Sequence, residues 1–188
     1  MNNDTLSRLS KTTIRLHWVI AFLMIMLLAS GIYMASTETF ALYSWHKSFG
    51  ILVFGIAVIR IAWRIKQGWP KHVGDYSLIE RALSKATHWI LILGTVAMPI
   101  SGIVMNAMGG YGVEAFGVEL FPTNTGPEGP FDFVAINEPV ADFAHAVHSL
   151  AGDVLVIAVA LHILGALKHH LLDRDATIRR MLGSSTQG

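Results

Sequence analysis

Histidine is the residue type in this sequence that is best suited to binding chemistry. The chain has nine histidines and no cysteine. Without cysteine, disulfides, thiolate metal clusters and covalent C-x-x-C-H haem attachment are excluded. Several of the histidines lie inside long apolar segments, where an ionisable side chain is costly and usually functional. Their spacing therefore carries most of the functional information.

Two histidines of the last apolar segment are spaced so that they share one helix face. His148 and His162 are 14 residues apart, which is about 3.9 helical turns. They are therefore separated by only about 40° around the helix axis. The rise between them is about 21 Å, which would place one in each leaflet of a membrane. His145 is the competing residue, at 17 residues from His162 and about 100° from it around the helix. The angle around the helix therefore favours His148 as the residue that shares a face with His162, and His145 stays open as the alternative.

Two further histidines occur at matching depths on other segments. His46 begins the second apolar segment at the outer level of His148, and His17 begins the first at the level of His162. Two neutral imidazoles that face each other are typical axial ligands of a b-type haem iron. The sequence therefore predicts an outer pair, His46 with His148, and an inner pair, His17 with His162. Small residues follow three of these histidines by four positions, where a macrocycle edge needs room: Gly50, Gly152 and Ala166.

Four apolar segments are long enough to position these histidines across a hydrocarbon core about 30 Å thick. Apolar residues make up 53% of the chain, charged residues only 14%, and the mean hydropathy is +0.50. The predicted spans are Thr13–Met34, Ser44–Ile65, Ala86–Ala107 and Phe143–His169. We predict an all-α membrane protein, a four-helix transmembrane bundle that encloses two b haems as a single domain over residues 1–188.

The basic residues predict how the spans are oriented. Of the 14 lysines and arginines, 13 lie before or at the start of span 1, at or near the connection between spans 2 and 3, or at and after the end of span 4. Only Lys47 lies on the other side. The positive-inside rule therefore places both termini in the cytoplasm and predicts a multi-pass protein of the bacterial inner membrane.

The connection between spans 3 and 4, Met108–Asp142, is the one sizeable segment outside the membrane. It carries six carboxylates but no lysine or arginine, and its glycines and prolines predict an irregular rather than helical structure. Two interpretations stay open. The segment is either an ordered lid over the outer mouth or a docking surface for a periplasmic electron donor or partner protein.

The remaining histidines have less certain roles. His88, near the inner end of span 3, could replace His17 as an inner ligand or border a quinone site. Lys168 and His169 end span 4 at that side of the membrane, where they could contribute to such a site. The alternative interpretation of the histidines at the membrane surface is that they are simply solvated cytoplasmic residues: His72, His169 and His170.

Short motifs occur in the same order on all four spans. They are Arg15–Trp18 (RLHW), Trp45–Gly50 (WHKSFG), His88–Trp89 followed by Ala97–Gly102 (AMPISG), and His148–Ala151, Leu161–His162 and Lys168–His170. Through these motifs the chain, apart from Met108–Asp142, resembles the bacterial cytochrome b561 family of di-haem membrane cytochromes.

The resemblance implies a four-helix bundle with two b haems ligated from spans 1, 2 and 4, in agreement with the two predicted pairs. It also implies electron exchange with ubiquinone, and in some relatives oxidation of superoxide at the outer face. By position, the quinone would lie near His88, Lys168 and His169. The acidic Met108–Asp142 segment departs from this pattern, because it would repel an anion and leaves only Lys47 as a local attractor.

The function that we expect is transfer of single electrons between a periplasmic-side donor, with superoxide among the candidates, and the ubiquinone pool of the respiratory chain. This would make the protein a quinone-linked oxidoreductase. The alternative is a haem-bearing membrane anchor subunit of a larger dehydrogenase or hydrogenase. From another class, a histidine-lined metal-ion transporter would explain the histidines but not their pairing at two depths. Membrane lipid and quinone are the expected partners, and nucleic acid is not.

Overall fold

Four long helices form most of the part of the protein that the structure describes. The computed structural model describes residues 9–69 and 76–184. Its helices are α1 (Lys11–Thr37), α2 (Tyr43–Gln67), α3 (Leu78–Met108), α4 (Glu138–Leu171) and the short α5 (Thr177–Met181), with a 3₁₀ turn at Phe40–Leu42. The first four are long and apolar enough to cross a membrane. The predicted four-helix transmembrane fold is therefore confirmed, while Arg8, Lys71 and His72 lie outside the described residues.

Each long helix contains its predicted span and continues beyond it, because capping residues set the ends. The α3 helix begins at Leu78, before its apolar span, where Ser77 and Glu80 form a capping box. The Ser77 hydroxyl accepts from the Glu80 amide at 3.3 Å, and the Glu80 carboxylate accepts from the Ser77 amide at 2.9 Å. The Asn137 side chain caps α4 in the same way by accepting from the amide of Val140 at 3.2 Å.

The tightest helix pair is α3 with α4, whereas α2 packs against both α1 and α3. Leu155 of α4 is fully buried against α3. A Cβ on Gly94 would lie 2.6 Å from Cδ2 of Leu155, so glycine is required for this close approach. Elsewhere many large apolar side chains are exposed, for example Phe22 at 64%. Such an exposed apolar surface is expected for helices that face lipid.

The connection between α3 and α4 is more regular than the sequence predicts. Strands β1 (Val113–Ala115) and β2 (Val118–Phe121) form an antiparallel hairpin. The two turn residues between them, Phe116 and Gly117, have φ angles of 51° and 83°. Positive φ at both central residues is typical of the type I′ turn that suits a two-residue hairpin. The hairpin was not predicted, because an aromatic residue with positive φ is rare and gives no turn signal in the sequence.

Candidate functional site

One end of the bundle, predicted to be the outer end, brings two histidines from different helices together. His46 lies in the second turn of α2 and His148 in the outer half of α4. Their ring centroids are 6.4 Å apart, with an angle of 74° between the ring planes. His145, the competing residue in the sequence, is exposed. The structure thus places His148 rather than His145 opposite His46.

Hydrogen bonds fix which nitrogen of each outer histidine carries the proton. Nδ1 of His148 lies 2.9 Å from the carbonyl oxygen of Met98, which can only accept, so Nδ1 donates. Nδ1 of His46 lies 2.9 Å from Oγ of Ser30, whose own proton goes to the carbonyl oxygen of Leu27 at 3.0 Å. With the proton on Nδ1, the lone pair of each Nε2 is available to a metal.

The opposite end, predicted to be the inner one, holds a second histidine pair. His17 of α1 and His162 of α4 have ring centroids 6.1 Å apart and an interplanar angle of 62°. The guanidinium Nη2 of Arg60 on α2 lies 3.1 Å from Nδ1 of His17 and is the donor in this contact. In this arrangement the His17 proton lies on Nε2. To bind a metal through Nε2, His17 must therefore give up its hydrogen bond with Arg60, so that its proton can lie on Nδ1 instead of Nε2.

His88 is the third histidine at the inner level. Its ring centroid is 5.1 Å from that of His162, with the ring planes at 89°. Its Nδ1 donates to the carbonyl oxygen of Ser84, one turn earlier on α3, at 2.6 Å. His88 is therefore a second candidate partner of His162 at this level, although its ring lies closer to that of His162 than the His17 ring does.

The ring separations test whether the pairs fit a shared metal. A metal–imidazole nitrogen bond is about 2 Å long and that nitrogen lies about 1 Å from the ring centre, so two imidazoles on opposite sides of one metal have centroids about 6 Å apart. The outer pair at 6.4 Å and the inner pair at 6.1 Å match this separation. The 5.1 Å between His88 and His162 is too short for it. The separations of both predicted pairs therefore fit a single metal ion held between two imidazoles, and they favour His17 over His88 as the partner of His162.

Glycines provide the space around the outer pair. A Cβ on Gly102 of α3 would lie 3.2 Å from Cε1 of His148, and one on Gly31 of α1 would lie 3.5 Å from Cε1 of His46. By contrast, a Cβ on Gly50 would meet nothing within 4 Å, so open space borders α2 one turn after His46. Gly102 thus leaves room for the His148 ring, whereas a Cβ on Gly31 would be in ordinary contact with His46, and Gly50 lies where a macrocycle edge needs room.

The end of α4 that follows His162 carries a network of charged and polar side chains. The Lys168 ammonium donates to Glu80 in the first turn of α3 and to Asp173 at 2.9 Å. His169 Nδ1 lies 2.8 Å from the same Asp173 oxygen, and the His169 ring lies 4.4 Å from that of Tyr76. The hydrogen bond from Lys168 lowers the pKa of Asp173 below its usual value. Asp173 therefore stays ionised and links Lys168 to His169.

The predicted quinone residues lie at two levels rather than at one. His88 borders the inner histidine pair through His162. Lys168 and His169 follow His162 by six and seven residues, a rise of about 9 to 10 Å toward the end of the helix. The structure thus separates His88 from the network around Asp173.

Several residues of the site could not be assigned a role from the sequence. Ser30, Ser101 and Gly102 resemble ordinary small residues of transmembrane helices, and Arg60 resembles a topology determinant. Their roles depend on contacts across helices, such as the 3.2 Å between Ser101 Oγ and His148 Nδ1, 47 residues apart. The signal available in the sequence was the presence of hydroxyl or guanidinium groups inside apolar spans, where polar groups usually have partners.

Comparison with known proteins identifies the family. The profile of the prokaryotic cytochrome b561 family matches residues 8–184. The chain is 34% identical to cytochrome b561 homolog 2 of Escherichia coli (strain K12), over 90% of this chain and 88% of the relative. It is 28% identical to a probable superoxide oxidase CybB of Yersinia pestis, over 90% of this chain and 92% of the relative. With a match over nearly its whole length and histidines paired at two depths, the chain belongs to the prokaryotic cytochrome b561 family.

Proposed function

We propose that the protein binds two b haems, through His46 with His148 and through His17 with His162, and passes single electrons between a donor on its outer side and the ubiquinone pool. Haem binding and electron transfer in a bacterial membrane are the activity of its family. The number of haems, their ligands, the quinone and the side of the donor are our inference. The haem supplies the redox chemistry, while the chain supplies the ligands, their spacing and their burial.

The observation that carries this proposal is the occurrence of two imidazole pairs with metal-compatible separations, 6.4 Å and 6.1 Å, at two depths of one bundle. The helix rise between His148 and His162 is about 21 Å, so the pairs lie in different leaflets. Two redox centres stacked in this way connect the two sides of the membrane. A metal-ion transporter has no need of such facing pairs, and the geometry therefore supports electron transfer over that alternative.

We infer that both termini are cytoplasmic and that the hairpin between α3 and α4 lies in the periplasm of the inner membrane. The support is the charge distribution, with 13 basic residues on the sides that we assign to the cytoplasm and one on the other. Reporter fusions after Gly112 and after Gly183 are expected to report opposite sides of the membrane. A report of the same side from both fusions would refute this topology.

We place the quinone at the cytoplasmic end, between His88 and the network around Lys168 and His169. A quinone headgroup needs hydrogen-bond donors to its carbonyl oxygens and a source of protons when it is reduced. His88 lies beside the inner pair and suits electron transfer to the headgroup. Lys168, which is ion-paired with Glu80, and His169, which is hydrogen-bonded to Asp173, lie nearer the cytoplasmic surface and suit proton delivery. Superoxide stays a candidate donor, because a relative is named a probable superoxide oxidase.

The quinone assignment predicts slower quinone reduction in variants that retain their haem. We expect His169→Ala to slow the oxidation of dithionite-reduced protein by a soluble ubiquinone analogue about tenfold, because the proton path through Asp173 loses a member. The reduced-haem spectrum should stay unchanged, since His169 lies about 10 Å along α4 from His162. Stopped-flow absorbance of the haem bands measures the rate.

His170→Ala is the matched control for this experiment. His170 is adjacent in sequence and also ends α4, but its side chain is exposed and His169, not His170, contacts Asp173. The control should oxidise at the wild-type rate. Equal oxidation rates for wild type, His169→Ala and His170→Ala would show that the quinone does not bind at this network.

A further inference from the structure

The hairpin β1–β2 has three features that its folding alone does not require. It carries two carboxylates on directly opposite positions, its tip is an aromatic residue in a strained conformation, and that tip packs against the helix that bears His46. Together they point to a docking site. We propose that a soluble redox protein with a lysine- or arginine-rich face docks on this hairpin and exchanges electrons with the outer haem site.

The first feature is a pair of like charges on facing strands. Glu114 of β1 is the direct cross-strand partner of Glu119 of β2, and both are exposed. Like charges directly opposite each other destabilise an antiparallel pair. Glu114 is partly compensated, because it accepts from the amide of Gly117 at 3.2 Å and interacts electrostatically with Lys47. A cationic partner would relieve the repulsion that Glu119 still experiences.

The negative charge extends around the hairpin. The Met108–Asp142 segment contains six carboxylates and no lysine or arginine. Besides Glu114 and Glu119, three of these carboxylates are exposed: Glu128, Glu138 and Asp142. An acidic surface of this kind accelerates encounter with a positively charged partner and slows encounter with anions. The charge therefore selects a cationic partner over superoxide.

The second feature is the conformation of the hairpin tip. Phe116 has a φ of 51°, which is strained for a bulky residue, and its side chain is 54% exposed. Backbone strain of this kind occurs mostly at functional sites, where the surrounding structure maintains it. Exposed apolar side chains accompany Phe116 on β2: Val118, Leu120 and Phe121. An apolar centre with a charged rim is the usual composition of an interface between proteins.

The third feature is the short path from this surface to the outer histidine pair. The amide of Phe116 donates at 2.9 Å to Oγ of Ser48, which is almost fully buried. The ring of Phe116 meets that of Phe49 edge-to-face, with centroids 5.5 Å apart. Ser48 and Phe49 follow His46 within one helical turn of α2. A redox protein docked on the hairpin tip would therefore lie directly outside the outer pair.

The inference rests on the proposed function, and a charge reversal tests it separately. The dithionite-reduced protein, in nanodiscs of zwitterionic lipid, is mixed with a ferric basic c-type cytochrome as a cationic probe. In a parallel experiment it is mixed with ferricyanide as an anionic probe. Stopped-flow absorbance then records the oxidation of the b haem. We expect the rate with the cationic probe to fall as ionic strength rises.

Glu119→Lys should slow oxidation by the basic cytochrome about tenfold at low ionic strength and speed oxidation by ferricyanide. The variant replaces a repulsive cross-strand pair by an attractive one, so the hairpin should fold at least as well. Glu128→Lys, the same change in an exposed residue outside the hairpin, is the matched control and should have a smaller effect. Opposite responses to the two probes cannot result from general damage to the protein.

Two results of the charge-reversal experiment would overturn the docking site. One is an equal effect of Glu119→Lys and Glu128→Lys on the cationic probe, and the other is a change of both probe rates in the same direction. A wild-type protein without haem absorbance would instead refute the proposed function itself. Stable co-purification of another membrane subunit over the hairpin, with no response to either probe, would favour the anchor-subunit alternative and also overturn the inference.

Discussion

We expect His148→Ala to reduce the haem content from about two per chain to about one, and to leave the spectrum of the remaining haem unchanged. The ring centroids of His148 and His46 are 6.4 Å apart, and His148 donates from Nδ1 to Met98, so its Nε2 keeps the lone pair that a metal needs. Alanine offers no replacement ligand. The inner pair lies about 21 Å away along α4 and should be unaffected.

His145→Ala is the control for this prediction. His145 lies one turn before His148 on α4 and has the same chemistry, but its side chain is exposed. The purified variants are compared by pyridine haemochrome assay and by reduced-minus-oxidised spectra. Loss of a haem in His145→Ala, with full haem content in His148→Ala, would show that the helical phase assigned the wrong histidine.

The second large effect is expected from a glycine that admits the His148 ring. A Cβ on Gly102 would already lie 3.2 Å from Cε1 of His148 and 3.4 Å from its Nδ1. The branched side chain in Gly102→Val adds two methyl groups to that contact. The imidazole must therefore move, and its hydrogen bonds with Met98 and Ser101 weaken. We expect loss of most of the outer haem and retention of the inner one.

Gly55→Val is the matched control for steric effects in the membrane. A Cβ on Gly55 would meet nothing within 4 Å. Gly55 is also nine residues from His46 on α2, which places it about 180° away around the helix. Replacing glycine in a helix usually favours helix formation, so this variant should keep both haems. If the two valine variants had the same haem content, contact with His148 would not explain the role of Gly102.

The fold was predictable because its main signals are local in the sequence. Four long apolar segments each specify a spanning helix, and the 3.6-residue period favoured His148 over His145 without excluding His145, while the structure places His148 opposite His46. The helix ends were less predictable, because they depend on caps such as Ser77 with Glu80, which lie outside the apolar windows.

The polar contacts of the histidines could not be predicted, because they join residues far apart in the chain. Ser30 is 16 residues from His46, Arg60 is 43 residues from His17, and both contacts depend on how the helices pack. The hairpin was missed for a different reason. Its turn uses Phe116 with a positive φ, a conformation that sequence propensity assigns to glycine or asparagine.

The central claim is that two histidine pairs hold two haems, and the haem content of the unmodified protein tests it most directly. After expression with adequate haem supply, the pyridine haemochrome assay should give about two haems per chain. Acidified solvent should extract all of this haem, because the chain has no cysteine to tether it. One haem or none per chain would contradict the assignment of two haem-binding pairs.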